Sequence, residues 1–210
     1  MKRPLLLILV AATLLHIAPA SAQEPVTLTF SDPMEQESET VRLTARLQRV
    51  HIREVLVTGH IQGRPYSLQT VRVVGGREQR TPPTTGAPVP SDTLRLLFAA
   101  QPVGKDSVNM LVRTPGFGSD FGQRLAHADD AILLETRTPT GSTTADAIPV
   151  MALSRGEHIV WHINGESYDA QSYCNVRDAA LHPAKWYERF KLDDYIYFEL
   201  RFSDALPSAE

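Results

Sequence analysis

The chain has 210 residues, 42% of them hydrophobic and 21% charged, with a formal net charge of −3. That is enough apolar side chain to build a core and excludes wholesale disorder, while the acidic balance gives no electrostatic case for a nucleic-acid partner, whose binders concentrate Lys and Arg. The single cysteine, Cys174, excludes an intramolecular disulfide, so stability has to come from burial.

Residues 1–22 read as a cleavable secretory signal peptide. Lys2 and Arg3 form a positive start, Leu5 to Ile17 an almost unbroken apolar run, and Ala20-Ser21-Ala22 a small-x-small cleavage site ahead of Gln23. The run falls short of the ~20 residues that span a bilayer, and no later stretch approaches that length. The expectation is an exported protein, periplasmic or extracellular, with a single β-rich domain over 23–210 and no membrane span in the mature chain. Asn109, Asn164 and Asn175 are followed two places on by Leu111, Glu166 and Arg177. No glycosylation acceptor therefore occurs, which fits a bacterial envelope better than a eukaryotic secretory route.

Strand signals dominate the mature chain. Val41, Leu43, Ala45 and Leu47 alternate with Arg42, Thr44, Arg46 and Gln48, a period of two. The rival is a helix with Arg42, Arg46, Arg49 and Arg53 as a basic stripe. It is disfavoured because a helix would leave the apolar residues without one buried face. Under the strand reading, the phase slip at Gln48-Arg49 predicts a β-bulge. Val55 to Ile61 and Tyr66 to Val74 read as a hairpin across Gln62-Gly63-Arg64-Pro65. Residues 75–92, rich in Gly, Pro and Thr, read as a long exposed loop, and residues 114–130, with Gly116, Gly118 and Gly122, as a second.

Leu94 to Ala99, Val108 to Arg113, Ala131 to Thr136, Ile148 to Leu153 and Glu157 to Ile163 read as further strands. Asn164-Gly165 predicts a type I′ hairpin turn, since both residues accept positive φ. A short helix is expected over 183–190, with Pro183 at its first position and Trp186 and Phe190 on one side. In the final strand Ile196, Phe198, Leu200 and Phe202 face one way, Tyr195, Tyr197, Glu199 and Arg201 the other. About nine or ten short strands at intervals of roughly 8 to 12 residues predict a mainly antiparallel all-β fold, a sandwich in preference to a barrel.

No candidate chemistry passes its geometric test in the sequence. His158 and His162 are four apart, but on a strand that is about 13 Å, too far for one metal ion at ~2 Å from each ring. The alternation instead places Ile159, Trp161 and Ile163 in the core. Gly116-Phe117-Gly118-Ser119-Asp120-Phe121-Gly122 fits neither a dinucleotide fingerprint nor a phosphate loop, and Ser119 lacks the flanking glycines of a nucleophile elbow. Cys174 reads as a small buried hydrophobe. Asp129-Asp130 and Asp193-Asp194 point to opposite faces of an extended chain and form no acid/base dyad. No catalytic residue, metal ligand or cofactor is therefore expected.

What remains are surface candidates: Tyr195 and Tyr197 with His158 and His162 as a shallow platform on outer sheet faces, and Phe117 and Phe121 as loop anchors open to a partner. The expected function is an exported, non-catalytic binding or scaffolding protein of the cell envelope, whose partner is another envelope protein or a glycan. The alternatives are a secreted hydrolase assembled around His158 or His162, and a β-barrel carrier of a small apolar ligand.

Overall fold

Alternation of two carries most of the chain into antiparallel strands. The computed structural model describes residues 26–137 and 147–203; the leader expected at 1–22 lies outside the described residues. In chain order come β1 (Thr27–Ser31), a 3-10 turn (Pro33–Gln36), α1 (Glu39–Leu47), β2 (His51–Thr58), β3 (Tyr66–Val74), β4 (Arg77–Arg80), β5 (Thr84–Gly86), β6 (Thr93–Pro102), β7 (Ser107–Thr114) and β8 (Phe117–Arg124). They are followed by β9 (Ile132–Leu134), β10 (Ile148–Ser154), β11 (Glu157–Ile163), β12 (Glu166–Ser172), α2 (Cys174–Asp178), a 3-10 turn (Pro183–Lys185), α3 (Trp186–Phe190) and β13 (Asp194–Phe202).

One sheet has the order β1-β2-β6-β7-β8, the other β4-β3-β13-β10-β9 with β5 also on β3. All pairings are antiparallel. Neither sheet closes on itself, so the fold is an all-β sandwich, and the barrel that a carrier of an apolar ligand would need is not formed. Val55 and Val57 of β2, Leu94, Leu96 and Phe98 of β6, and Val108 and Met110 of β7 meet Ile196, Phe198 and Leu200 of β13 in the core between the sheets. Phe98 and Phe198 touch across it with ring centroids 5.0 Å apart. Removing either ring would cost about 3–5 kcal/mol.

The second sheet is buried on both faces. On its far side Val71, Val73, Tyr195 and Tyr197 form a second core with Trp186, Phe190 and Leu192. The expected helix is there, as a 3-10 turn running into α3, and the spacing of Trp186 and Phe190 turns both onto the sheet. Tyr195 donates from its hydroxyl to the carbonyl of Pro183 (2.7 Å). These two tyrosines are fully buried. Their expected exposure on an outer face is corrected: the strand alternates as read, but α3 covers the face that would have been open.

Four further expectations are overturned. Residues 41–47 are helical, not extended. Ser38 caps α1 by accepting from the Val41 amide (3.4 Å), and the Thr44 hydroxyl donates to the Thr40 carbonyl (2.8 Å). At the other end Arg49 adopts φ 56°, and the Arg49 and Val50 amides donate to Arg46 and Ala45 (3.0 and 2.8 Å). That double closure is a Schellman motif, so the phase slip at Gln48-Arg49 marks a helix end and not a bulge. The objection to a helix was sound as physics, since no residue of α1 is buried; the helix forms regardless and leaves its apolar residues in solvent.

β2 and β3 do not form a hairpin either, because β2 pairs with β1 and β6 while β3 lies in the opposite sheet. Residues 59–65 carry the chain across the sandwich. The loop expected at 75–92 contains β4 and β5, both on β3, and Val89 within it is buried. The loop expected at 114–130 contains β8, in full register with β7.

Candidate functional site

A two-residue turn builds an exposed hairpin. Asn164 (φ 54°) and Gly165 (φ 86°) join β11 to β12 with Ile163 opposite Glu166, the two-residue hairpin their sequence predicts. The hairpin hydrogen-bonds to neither large sheet and forms a two-stranded arm of its own. At its base Asn175 Nδ2 donates to Glu157 Oε2 (2.8 Å) and Gln171 Nε2 to Asp130 Oδ2 (3.1 Å).

The register divides the arm into two faces. Ile159 opposite Ala170, Trp161 opposite Tyr168 and Ile163 opposite Glu166 make one; His158 opposite Gln171, Val160 opposite Asp169 and His162 opposite Ser167 make the other. The expected core position of Trp161 and Ile163 is corrected. Trp161 is 55% exposed, Ile163 54% and Tyr168 49%, because no second layer lies over the arm. A lone hairpin in water is marginal without such a layer, which leaves its aromatic pair available for contact.

His158 and His162 lie on the polar face of this arm. His158 Nε2 is 3.4 Å from Asp169 Oδ1, and His162 Nδ1 is 3.1 Å from Ser167 Oγ. A nucleophilic triad needs one histidine between a carboxylate and a hydroxyl; here the two partners belong to different histidines. Both rings are exposed, with nothing to exclude water from a reaction. Among the described residues no group of three or more His, Cys, Asp or Glu is arranged to hold a metal ion.

The other sequence candidates go elsewhere. Phe117 and Phe121 lie on β8, half-buried against the sandwich core, and the loop anchors expected of them are corrected to edge-strand packing. Cys174 opens α2 and is exposed, not buried.

Two polar groupings escaped the sequence reading. On the outer face of the second sheet Arg80 of β4 donates to Glu199 of β13 through Nη1 (2.6 Å) and Nη2 (3.1 Å), and to Glu78 through Nη2 (2.8 Å). The Tyr197 hydroxyl donates to Glu78 Oε1 (2.7 Å), and the His182 ring meets Tyr197 edge-on. Burial alone would raise the Glu199 pKa, but the Arg80 and Arg201 guanidiniums outweigh it and hold the carboxyl below its usual range. Held ionised and doubly bonded, Glu199 has no proton to give, and the cluster is a structural ion network.

The second grouping is an open cleft of about 710 Å³ between α1, the start of β2, the Asp129–Ile132 segment and Tyr173. Its volume is that of a small-molecule site. Arg42, Arg46 and Arg49, from the basic stripe of the helix reading, line it together with Asp129, Asp130 and Tyr173. The Arg53 guanidinium is neutralised within the cleft by Asp32 at 2.7 Å. Burial first, then Arg53 and Arg49, lower the pKa of His51 in the same cleft.

Among the described residues no helix is long and apolar enough to cross a membrane. No protein-family model matches the chain, and neither a curated protein nor a solved structure matches it.

Proposed function

We propose that this chain is an exported, non-catalytic binding protein of the bacterial envelope, and that the β11–β12 arm engages its partner. One observation carries this reading: Trp161 and Tyr168 are paired across the arm and about half exposed, on a hairpin that neither sheet shelters. Exposed aromatics grouped in this way mark contact surfaces, because their burial is worth more than that of any other side chain. The flat rings suit a protein surface or the apolar face of a sugar, and the partner is an envelope protein or a glycan. The leader over residues 1–22 supplies the route of export.

A photo-crosslinking amino acid at position 163, on the arm, is compared with one at Val103, which is equally exposed (51%) but lies on the sandwich body. Crosslinking in envelope extract is expected from position 163 and not from 103, and the double variant W161A/Y168A abolishes it. Protease or muramidase digestion of the adduct then separates a protein partner from a glycan. Equal adducts from both positions, or full capture by W161A/Y168A, would remove the arm as the binding element.

A further inference from the structure

The cleft gathers charges of both signs. Arg42, Arg46 and Arg49 stand on the α1 side, and Glu35, Asp129 and Asp130 also line it. Among the described residues none of these three guanidiniums forms a hydrogen bond or ion pair, and none of the three carboxylates is ion-paired. The two sets therefore do not neutralise each other by direct contact, while the Arg53–Asp32 pair shows that opposite charges in this cleft do pair where they come within reach. Tyr173 lies where both fields are felt: burial and Asp130 push its hydroxyl pKa up, and Arg49 pulls it down.

A purely anionic ligand would satisfy the arginines and meet three carboxylates. A purely cationic one would meet the reverse. Only a molecule carrying both signs is favoured by both sets, and charge-assisted hydrogen bonds are the strongest this chemistry offers.

We propose that the cleft between α1 and the Asp129–Ile132 segment binds a dipolar ligand, a small peptide-like molecule that presents carboxylates to Arg42, Arg46 and Arg49 and ammonium groups to Glu35, Asp129 and Asp130. The cleft is open to solvent and includes no residue of β11 or β12, so the proposal stands apart from the arm's role.

The test is calorimetric titration of the full chain with the uncapped peptide Lys-Gly-Glu, which carries two ammonium and two carboxylate groups. Three comparison ligands accompany it: the same peptide with both amines acetylated, the same peptide with both carboxylates as amides, and inorganic phosphate. The uncapped peptide is expected to bind, and loss of either charge set to weaken it about tenfold or more, the effect of forfeiting a charge-assisted hydrogen bond. R46Q, on an exposed helix, and D129N, which removes no hydrogen bond, are expected to weaken binding similarly, whereas W161A/Y168A leaves it unchanged. Phosphate or the acetylated peptide binding as tightly as the uncapped one would overturn the proposal in favour of a simple anion site. Absence of heat with all four at ~10 mM would overturn it outright.

Discussion

Arg80 and Glu199 meet fork to fork across β4 and β13, and the two partners differ sharply in exposure: the side chain of Glu199 is 3% accessible and that of Arg80 36%. The carboxylate therefore depends on the guanidinium for its charge. R80A is expected to destabilise the fold by about 2 kcal/mol at neutral pH, less than the 3–5 kcal/mol of a wholly buried pair because water reaches Arg80. The pH response distinguishes this from lost packing. In the parent the Glu199 pKa is lowered, so its contribution is complete above the ordinary carboxylate range and is lost as pH falls through the lowered value. In R80A the buried carboxylate takes up its proton earlier, and urea midpoints of parent and variant should converge on acidification. A constant gap between pH 7 and 4 would count against the assignment.

At the alkaline end the tyrosines respond in the opposite sense. Burial raises the pKa of both Tyr195 and Tyr197 well above the ordinary value of 10.0, and Glu78 adds to the shift at Tyr197. A raised phenol favours the folded state fully below the unfolded value and loses that contribution as pH climbs beyond it. Ultraviolet titration should thus show a set of phenols, Tyr195 and Tyr197 among them, that stay protonated past about pH 10 and ionise only with unfolding. Y197F removes the hydroxyl that donates to Glu78 and should leave one such tyrosine fewer.

Much of the sandwich was legible because period-two alternation states which side chains share a face, and β3, β6, β7 and β13 follow it. The alternation is blind to what covers a face. It placed Tyr195 and Tyr197 correctly opposite Ile196 and Phe198, yet could not show that Trp186 and Phe190 return over them. In Trp161 and Ile163 the same pattern implied a core where no second layer exists. The α1 segment failed for a different reason: its seven residues of alternating Val, Arg, Leu and Thr show the period of a strand, and the decision lies in the cap at Ser38 and the left-handed Arg49. β8 was masked by glycines at 118 and 122, which a strand tolerates when its neighbour supplies the register. The cleft and the Arg80 network depend on residues far apart in sequence, Arg42 with Asp129 and Glu78 with Glu199, and no local spacing encodes them.

Gly86 shows how tightly β5 is held on β3. It pairs with Tyr66, and a Cβ at this position would overlap the Tyr66 ring. That ring is buried, and its hydroxyl lies within hydrogen-bond reach of Thr114 Oγ1 (2.6 Å) and the Pro115 carbonyl (2.9 Å). Tyr66 has no room to swing aside without giving up these partners. G86A should cost about 2–3 kcal/mol through overpacking, read as a lower urea midpoint at unchanged slope. G86A/Y66F should not recover it fully, since ring carbons of residue 66 obstruct as well as the hydroxyl. A neutral G86A would mean that β5 is not anchored in this register.

The helix end makes the converse prediction. Arg49 is a non-glycine residue in the left-handed region at φ 56°, where a Cβ is strained. R49G should therefore stabilise the chain by about 0.5–1 kcal/mol, the usual gain when glycine takes a left-handed cap, even though it removes one of the cleft's arginines. Loss of stability instead would mean that the guanidinium holds more of the local structure than its lack of a partner implies.

The two tryptophans offer the most direct check on the architecture, because they occupy opposite environments. Trp186 is buried against Tyr195, its ring centroid 5.7 Å from the phenol, and its indole donates to the Leu181 carbonyl (3.1 Å). Trp161 stands on the arm in solvent. W161F should leave a blue-shifted emission that acrylamide barely quenches and a fold of nearly parental stability, whereas W186F should leave a red-shifted, readily quenched signal. W186A should cost about 3–5 kcal/mol, the price of opening the second core. If the W186F protein proved poorly quenched, or if W161A destabilised as much as W186A, the arm would have to be packed under a layer that the sandwich does not contain. The exposed aromatic pair would then have no claim to a partner.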